Sequence, residues 1–243
     1  MADVKSTIAT NLARIRERIA RAAQCAGRRP EEVTIVAVTK THPASAIASA
    51  YQAGLRHFGE NRVQEFESKL PALTNLKATW HLIGHLQSNK AARAARLFNR
   101  IDSVDSLALA QRLDAAAAAE NKHLGVLIEV HLSDETTKSG VSEAELPALA
   151  ESIATFPYLH LQGLMTIPPF LDDPESVRPF FRKLAALRDQ LSRNLARPLP
   201  TLSMGMSHDF EAAIEEGATE IRPGTALFGP RPAVNLSNAN DAP

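Results

Sequence analysis

The chain has 243 residues, with Lys plus Arg and Asp plus Glu both totalling 27 and therefore no formal net charge. Its 44% hydrophobic and 22% charged residues describe an ordinary globular chain, long enough for one large α/β domain or two small ones. The balanced charge argues against nucleic acid as a partner, and neither a polybasic cluster nor an apolar run of ~18 residues points to a membrane. The single cysteine, Cys25, excludes an internal disulfide and makes a Cys-based metal site implausible. The first residues carry Asp3 and Lys5 without an apolar core, so they do not read as a secretory signal, and a cytoplasmic protein is expected.

From Ser6 to about Ala26, Ile8, Leu12, Ile15, Ile19 and Ala22 recur at helical spacing, and Gly27 and Pro30 stop the helix. Thr34 to Thr39 is a short run rich in β-branched residues and predicts a buried strand. Pro43 and Ser45 then open a helix that Gly54 closes. The strand–helix unit repeats, with strands expected at His57–Asn61, Trp80–Gly84, Arg100–Val104, Val126–Val130, Leu159–Ile167, Thr201–Met204 and Glu220–Gly224. Helices are expected between them, including the Ala-rich Ser106–Glu120 and the amphipathic Ser176–Leu195.

Eight strands alternating with helices imply a parallel sheet. No Gly-rich dinucleotide fingerprint follows the first strand, which favours a closed (β/α)8 barrel over an open doubly wound sheet. The expected organisation is an N-terminal helix over 1–30 packed on the barrel, a single barrel domain over 31–230, and a flexible polar tail over 231–243.

Active sites of such barrels lie at the C-terminal ends of the strands, so the residues closing each strand are the ones to inspect. Lys40 shares a strand face with Thr34, Val36 and Val38; if the valines point inward, so does the lysine. An amine at the top of an apolar barrel is poorly solvated, which favours its neutral, nucleophilic form toward a carbonyl. The alternative is a lysine that snorkels to the rim or pairs with a carboxylate such as Glu60. Barrels often bind phosphate with the loops after strands seven and eight. Ser207 precedes a helix expected near Asp209, and Gly224 and Thr225 offer amides and a hydroxyl, although capping and turning would use the same residues. Arg222, an interior arginine, requires a partner: Glu220 two residues earlier, or the ring nitrogen of a cofactor. His81 and His85 could line the site but are expected to pack or hydrogen-bond, with no metal site; Lys90, early in a helix, could contact phosphate but is expected to be solvated.

The segments VAVTKTHP, HFGENRVQE, WHLIGHLQSNK, SVDS, SDETTKSG, GLMTI, LSMGMSHDFEAAI and RPGTALFG span Val36 to Gly229. Through them the chain resembles the pyridoxal phosphate homeostasis protein family, whose barrel is similar to the N-terminal domain of alanine racemase. The resemblance implies pyridoxal 5'-phosphate (PLP) as cofactor, carried as a Schiff base on Lys40. It further implies phosphate contacts from Ser207, Gly224 and Thr225, Arg222 by the ring nitrogen, and Asn61 beside the cofactor. Lys138 becomes a candidate second lysine for handover. Two departures stand out: His42 takes a position where many relatives have another lysine, and Pro223 replaces the usual aliphatic residue.

Three functions then compete. The first is a PLP-binding protein, with no catalytic residues, that stores, delivers or buffers the cofactor, with PLP-dependent apoenzymes as candidate recipients. The second is a weakly active amino-acid racemase, and the third a Schiff-base aldolase acting on a sugar phosphate. A racemase needs an acid/base group on each face of its substrate. The only tyrosines, Tyr51 and Tyr158, fall away from the expected rim, and the chain ends before any second, β-rich domain. An aldolase of this kind would carry its lysine on a later strand beside an acid/base pair. The homeostasis reading is preferred, with a monomer expected.

Overall fold

The computed structural model describes residues 2–133 and 139–230. Eight parallel strands close into a barrel in sequence order: β1 (Thr34–Val38), β2 (His57–Glu60), β3 (Thr79–Leu82), β4 (Arg100–Val104), β5 (Leu124–Glu129), β6 (Leu159–Met165), β7 (Thr201–Met206) and β8 (Glu220–Arg222). Closure is made by β1, which pairs Val36 with His57 of β2 on one side and Thr34 with Glu220 of β8 on the other. Closure rules out the open sheet and leaves no unpaired strand edge.

Outside lie α1 (Ala2–Cys25), α2 (Ala44–Gln52), α3 (Val63–Lys69), α4 (Ala91–Leu97), α5 (Leu107–Ala119), α6 (Leu146–Ala154), α7 (Arg178–Asn194), α8 (Phe210–Glu215) and α9 (Thr225–Phe228). Each connecting helix buries one face against the outer wall of the barrel. In α5 the buried positions are Leu109, Ala110, Leu113 and Ala117, and the cap is Ser106, whose hydroxyl accepts from the Leu109 amide. The N-terminal helix α1 buries Ile8, Leu12, Ile15 and Ile19 and packs on α2, α8 and α9. Arg18 of α1 pairs with Glu211 of α8 at 2.8 Å, and Arg28 donates to the carbonyls of Ile214 and Ala218, both at 2.9 Å. Among the described residues no helix is long and apolar enough to cross a membrane.

Several strand ends differ from the periodicity-based expectation. β1 stops at Val38, so Thr39 and Lys40 lie beyond it, and β6 and β8 stop at Met165 and Arg222, while β7 runs on to Met206. Ladder hydrogen bonds lapse at the rim even where side-chain alternation continues. Between β6 and β7 the backbones approach so closely that a Cβ on Gly163 would lie 1.8 Å from the carbonyl oxygen of Thr201, and its φ of +158° also favours glycine. Pro223 falls just outside β8, where its carbonyl accepts from the Val38 amide at 3.1 Å; that pairing uses an acceptor that proline retains.

The barrel interior is not uniformly apolar. Near the strand N-termini, Arg100 donates to Asp102 Oδ1 at 2.6 Å and to Glu220 Oε1 at 2.6 Å, with a second bond to each carboxylate. His81 Nδ1 lies 3.3 Å from Asp102, and His81 Nε2 lies 3.0 Å from His57 Nδ1. Burial opposes the Arg100 charge, but the two carboxylates outweigh it and raise its pKa, while the Asp102 carboxyl is held below its ordinary value. Desolvation, then the neighbouring His81, lowers His57. His81, Asp102 and Glu220 bring potential ligand atoms within 4.8 Å of one another. Arg100 already neutralises both carboxylates, so the trio is a buried ionic floor rather than a cation site.

Candidate functional site

At the opposite end, a cavity of about 310 Å³ opens among the strand C-termini. It is lined by Lys40, Asn61, Ser207, Arg222, Gly224 and Thr225, the six residues singled out above, drawn from segments up to 185 positions apart between Lys40 and Thr225. Its apolar walls are Val38, Ile83, Ile167 and Met206. At the mouth Ile167 is 40% and Phe170 71% exposed, and the Phe170 ring lies 5.4 Å from that of His208.

Lys40 is half-buried and sits just past β1, with Val38 below it in the same cavity. The Glu60 pairing considered for it is not what the carboxylate does. Glu60 Oε1 accepts from Thr39 Oγ1 at 2.6 Å and from Lys69 Nζ at 2.7 Å. Lys69 also donates to the Thr39 carbonyl at 2.9 Å and to Glu65 at 2.7 Å, while Glu65 accepts the Thr41 amide at 2.6 Å. Thr41 has φ +67°, a left-handed conformation that costs a β-branched residue and needs this external support. The segment bearing Lys40 is therefore fixed from both sides by a clamp built on β2 and α3. Burial pushes the Glu60 carboxyl up despite Lys69 and Thr39. Burial also acts to raise Glu65, but the bonds from Lys69 and the Thr41 amide hold it down.

Asn61 is set against the third strand's exit. A Cβ on Gly84 would lie 2.5 Å from the Asn61 carbonyl, so only glycine allows that approach. The Asn61 Oδ1 atom is buried and has no hydrogen-bond partner among the described residues, although it borders the cavity. Orphaned acceptors of this kind call for a ligand donor or water.

Arg222 is fully buried. One of its two candidate partners, Glu220, is taken by Arg100, whose side chain crosses the barrel from β4 to reach it. Arg222 instead donates to Ser203 Oγ at 2.8 Å and to the Thr166 carbonyl at 2.7 Å. Desolvation lowers its pKa, against the attraction of Asp102 and Glu129. The helix expected after Ser207 begins at Phe210, and its N-terminal residue is Asp209, which accepts the Met206 amide at 2.6 Å. Ser207 is thus not the cap; its hydroxyl accepts the amides of Gly224 and Ala226, both at 3.1 Å. Serine, glycine and threonine from the loops after β7 and β8 form one cradle, already joined by these bonds.

His42 is buried with its ring 4.6 Å from Phe228, and Tyr51 and Tyr158 lie away from this cavity: Tyr51 stacks under Arg56, and Tyr158 stacks on His123. Lys138 and the segment 231–243 lie outside the described residues.

Sequence reasoning missed Glu129. At the end of β5, its carboxyl is buried, Oε2 has no hydrogen-bond partner among the described residues, and desolvation followed by repulsion from Asp105 pushes its pKa up to about 7. The only signal was one charge in an apolar run, Leu127-Ile128-Glu129-Val130. A folded-state pKa above the unfolded value means that the folded protein binds the proton more tightly. That contribution is intact below about pH 4.5 and is lost as pH rises to about 7. Relative to wild type, Glu129→Gln should gain roughly 3 kcal/mol of stability between those limits. Urea unfolding of both proteins at pH 4.5 and pH 8 checks this; parallel pH curves would show that Glu129 does not titrate as described.

The family profile for the alanine racemase N-terminal domain matches residues 10–232. A pyridoxal phosphate homeostasis protein of Aquifex aeolicus is 48% identical over 220 residues, covering 90% of this chain and 96% of the relative. The solved structure of PipY from Synechococcus elongatus with PLP bound superposes with a TM-score of 0.82 at 40% identity, over 91% of this chain and all of that one. Alanine racemase from Corynebacterium glutamicum shares the fold at 21% identity and a TM-score of 0.66, with 97% of this chain matching 63% of that larger protein. On this agreement in sequence, extent and fold, the chain belongs to the pyridoxal phosphate homeostasis protein family, built on the alanine racemase N-terminal domain.

Proposed function

We propose that this protein binds PLP and serves its homeostasis by storing, delivering or buffering the cofactor, which is held as a Schiff base on Lys40. The observation that carries the reading is the single cavity that gathers Lys40, Asn61, Ser207, Arg222, Gly224 and Thr225. These residues fit the group. Apolar walls from Val38, Ile83 and Met206 suit a flat ring, Asn61 Oδ1 waits for a donor, and the Ser207–Gly224–Thr225 cradle suits a phosphate.

When bound, PLP supplies an aldehyde for an amine and an electron-withdrawing ring. The chain's own residues do the rest. Lys40, backed by the clamp on Thr39 and Thr41, presents its amine to the cavity. Arg222, fixed by Ser203 and Thr166, offers donors but is too weak an acid to give up a proton. Beside such a group a ring nitrogen would stay unprotonated, which would suit holding the cofactor better than driving carbanion chemistry. Neither tyrosine approaches the cavity to serve as the second base of a racemase. The same reading makes the protein cytoplasmic and monomeric, with PLP-dependent apoenzymes as recipients and Lys138 as a lysine for handover.

The test pairs two assays on the PLP-loaded protein. Loaded protein mixed with an apo-aminotransferase should restore that enzyme's activity. The loaded protein alone should racemise L-alanine no faster than free PLP. Turnover at an enzyme-like rate, above roughly 1 s⁻¹, would replace the homeostasis reading with a catalytic one.

A further inference from the structure

A second cavity, of about 250 Å³, adjoins the first across Asn61, which lines both. It is built almost wholly from two of the segments that marked the chain's family, residues 57–65 and 80–90, and none of its other lining residues faces the first cavity. Its polar lining is Arg62, Gln64, His85, Gln87 and Lys90, above an apolar floor of Leu82 and Leu86.

The charge here is one-sided. Two cations line the cavity and no carboxylate does. The acids nearby are already engaged: Glu65 by Lys69 at 2.7 Å, Glu67 by Arg93 at 3.0 Å, and Asp105 by His85 at 3.1 Å. Among the described residues neither Arg62 nor Lys90 forms an ion pair, although Glu65 attracts Arg62 at longer range. Amide donors from Gln64 and Gln87 complete a wall able to solvate a negative group. An arginine, a lysine and two amides around a space of this size match a small oxyanion; Lys90 is half-buried at its edge, and the exposed Arg62, Gln64 and Gln87 reach it from the rim.

We propose that this second cavity binds a small oxyanion-bearing ligand, a phosphate or carboxylate compound, beside and separately from the cofactor. Arg62 and Lys90 carry its charge, and Gln64 and Gln87 hold its remaining oxygens. The proposal does not depend on what occupies the first cavity, although the shared Asn61 makes the two ligands neighbours.

The experiment uses protein whose cofactor has been fixed by borohydride reduction, so that the cradle after β7 and β8 is filled. Inorganic phosphate and, separately, acetate are titrated calorimetrically against wild type, Arg62→Gln and Lys90→Gln at low ionic strength. One saturable site is expected for at least one of the two anions. Its affinity should fall roughly tenfold or more in each variant, with the cofactor band and melting temperature unchanged. Phosphate binding alone would identify a phosphate-type ligand, and acetate binding a carboxylate-type one. No saturable binding of either anion, or binding that both variants leave intact, would overturn the proposal. If no cofactor can be fixed, the homeostasis reading fails on its own account, and whether Arg62→Gln and Lys90→Gln weaken anion binding to the unloaded protein decides the second site.

Discussion

Lys40→Ala is expected to abolish the borohydride-sensitive absorbance band that wild type develops with PLP, and to weaken cofactor binding by roughly 100-fold or more, equivalent to about 2.7 kcal/mol. The magnitude follows from what remains. The variant keeps the Ser207–Gly224–Thr225 cradle, the apolar walls and Arg222, so non-covalent binding persists without the imine bond. Lys69 is not a substitute, since Glu60, Glu65 and the Thr39 carbonyl already hold its ammonium. An undiminished band in the variant would therefore remove Lys40 from its assigned role and reopen the phosphate-binding alternatives. A companion change, Lys69→Met, should leave the band in place but slow its formation, because it releases the segment that presents Lys40.

The largest effect on folding is expected from the barrel floor. Arg100→Met leaves Asp102 and Glu220 buried without their cation, and removing one partner of a buried ionic network costs about 3–5 kcal/mol. In a chain of this size that corresponds to a melting temperature lower by roughly 6–20 °C. Adding Asp102→Asn and Glu220→Gln to Arg100→Met should recover much of the loss, because the cost lies in unpaired charge rather than in missing volume. Thermal unfolding followed by circular dichroism checks both variants. A single variant that melts within about 2 °C of wild type would mean that water reaches the floor and solvates the acids.

Much of this architecture was legible because a parallel barrel writes itself in simple terms. Short β-branched runs such as Thr34–Val38 are buried on both faces, and small or polar residues follow each strand on the functional rim. The Ala-rich helix expected over Ser106–Glu120 appears as Leu107–Ala119, because helix propensity is a local property of the run. The six cavity residues each end or follow a strand, and the fold sends all such positions to one rim; among the many rim residues, Asn61 was marked by the family resemblance rather than by its position.

What local pattern could not show was which side chains meet across the interior. Glu220 and Arg222 share a strand face, which made their pairing one of the two readings open for Arg222. Yet Arg100, 120 positions away, crosses the barrel and takes Glu220. The helix start expected near Asp209 is found there, but that Ser207, just before it, turns to accept the Gly224 and Ala226 amides of the next loop left no local trace. Glu129 and the Lys69 clamp depend on burial and on contacts between consecutive units, neither of which leaves a periodic trace.

The exposed Ile167 and Phe170 at the cavity mouth carry one more implication. A vessel that stores a reactive aldehyde must release it without an accompanying enzyme to break it open. Ile167 and Phe170 are themselves open to solvent, so a linkage on Lys40 as proposed would lie near water. The residence time of the cargo would then be set by the chemistry of hydrolysis and the grip on its phosphate, rather than by the opening of a door. A carrier of that kind would leak at a rate that answers to the concentration outside, which is how a buffer works.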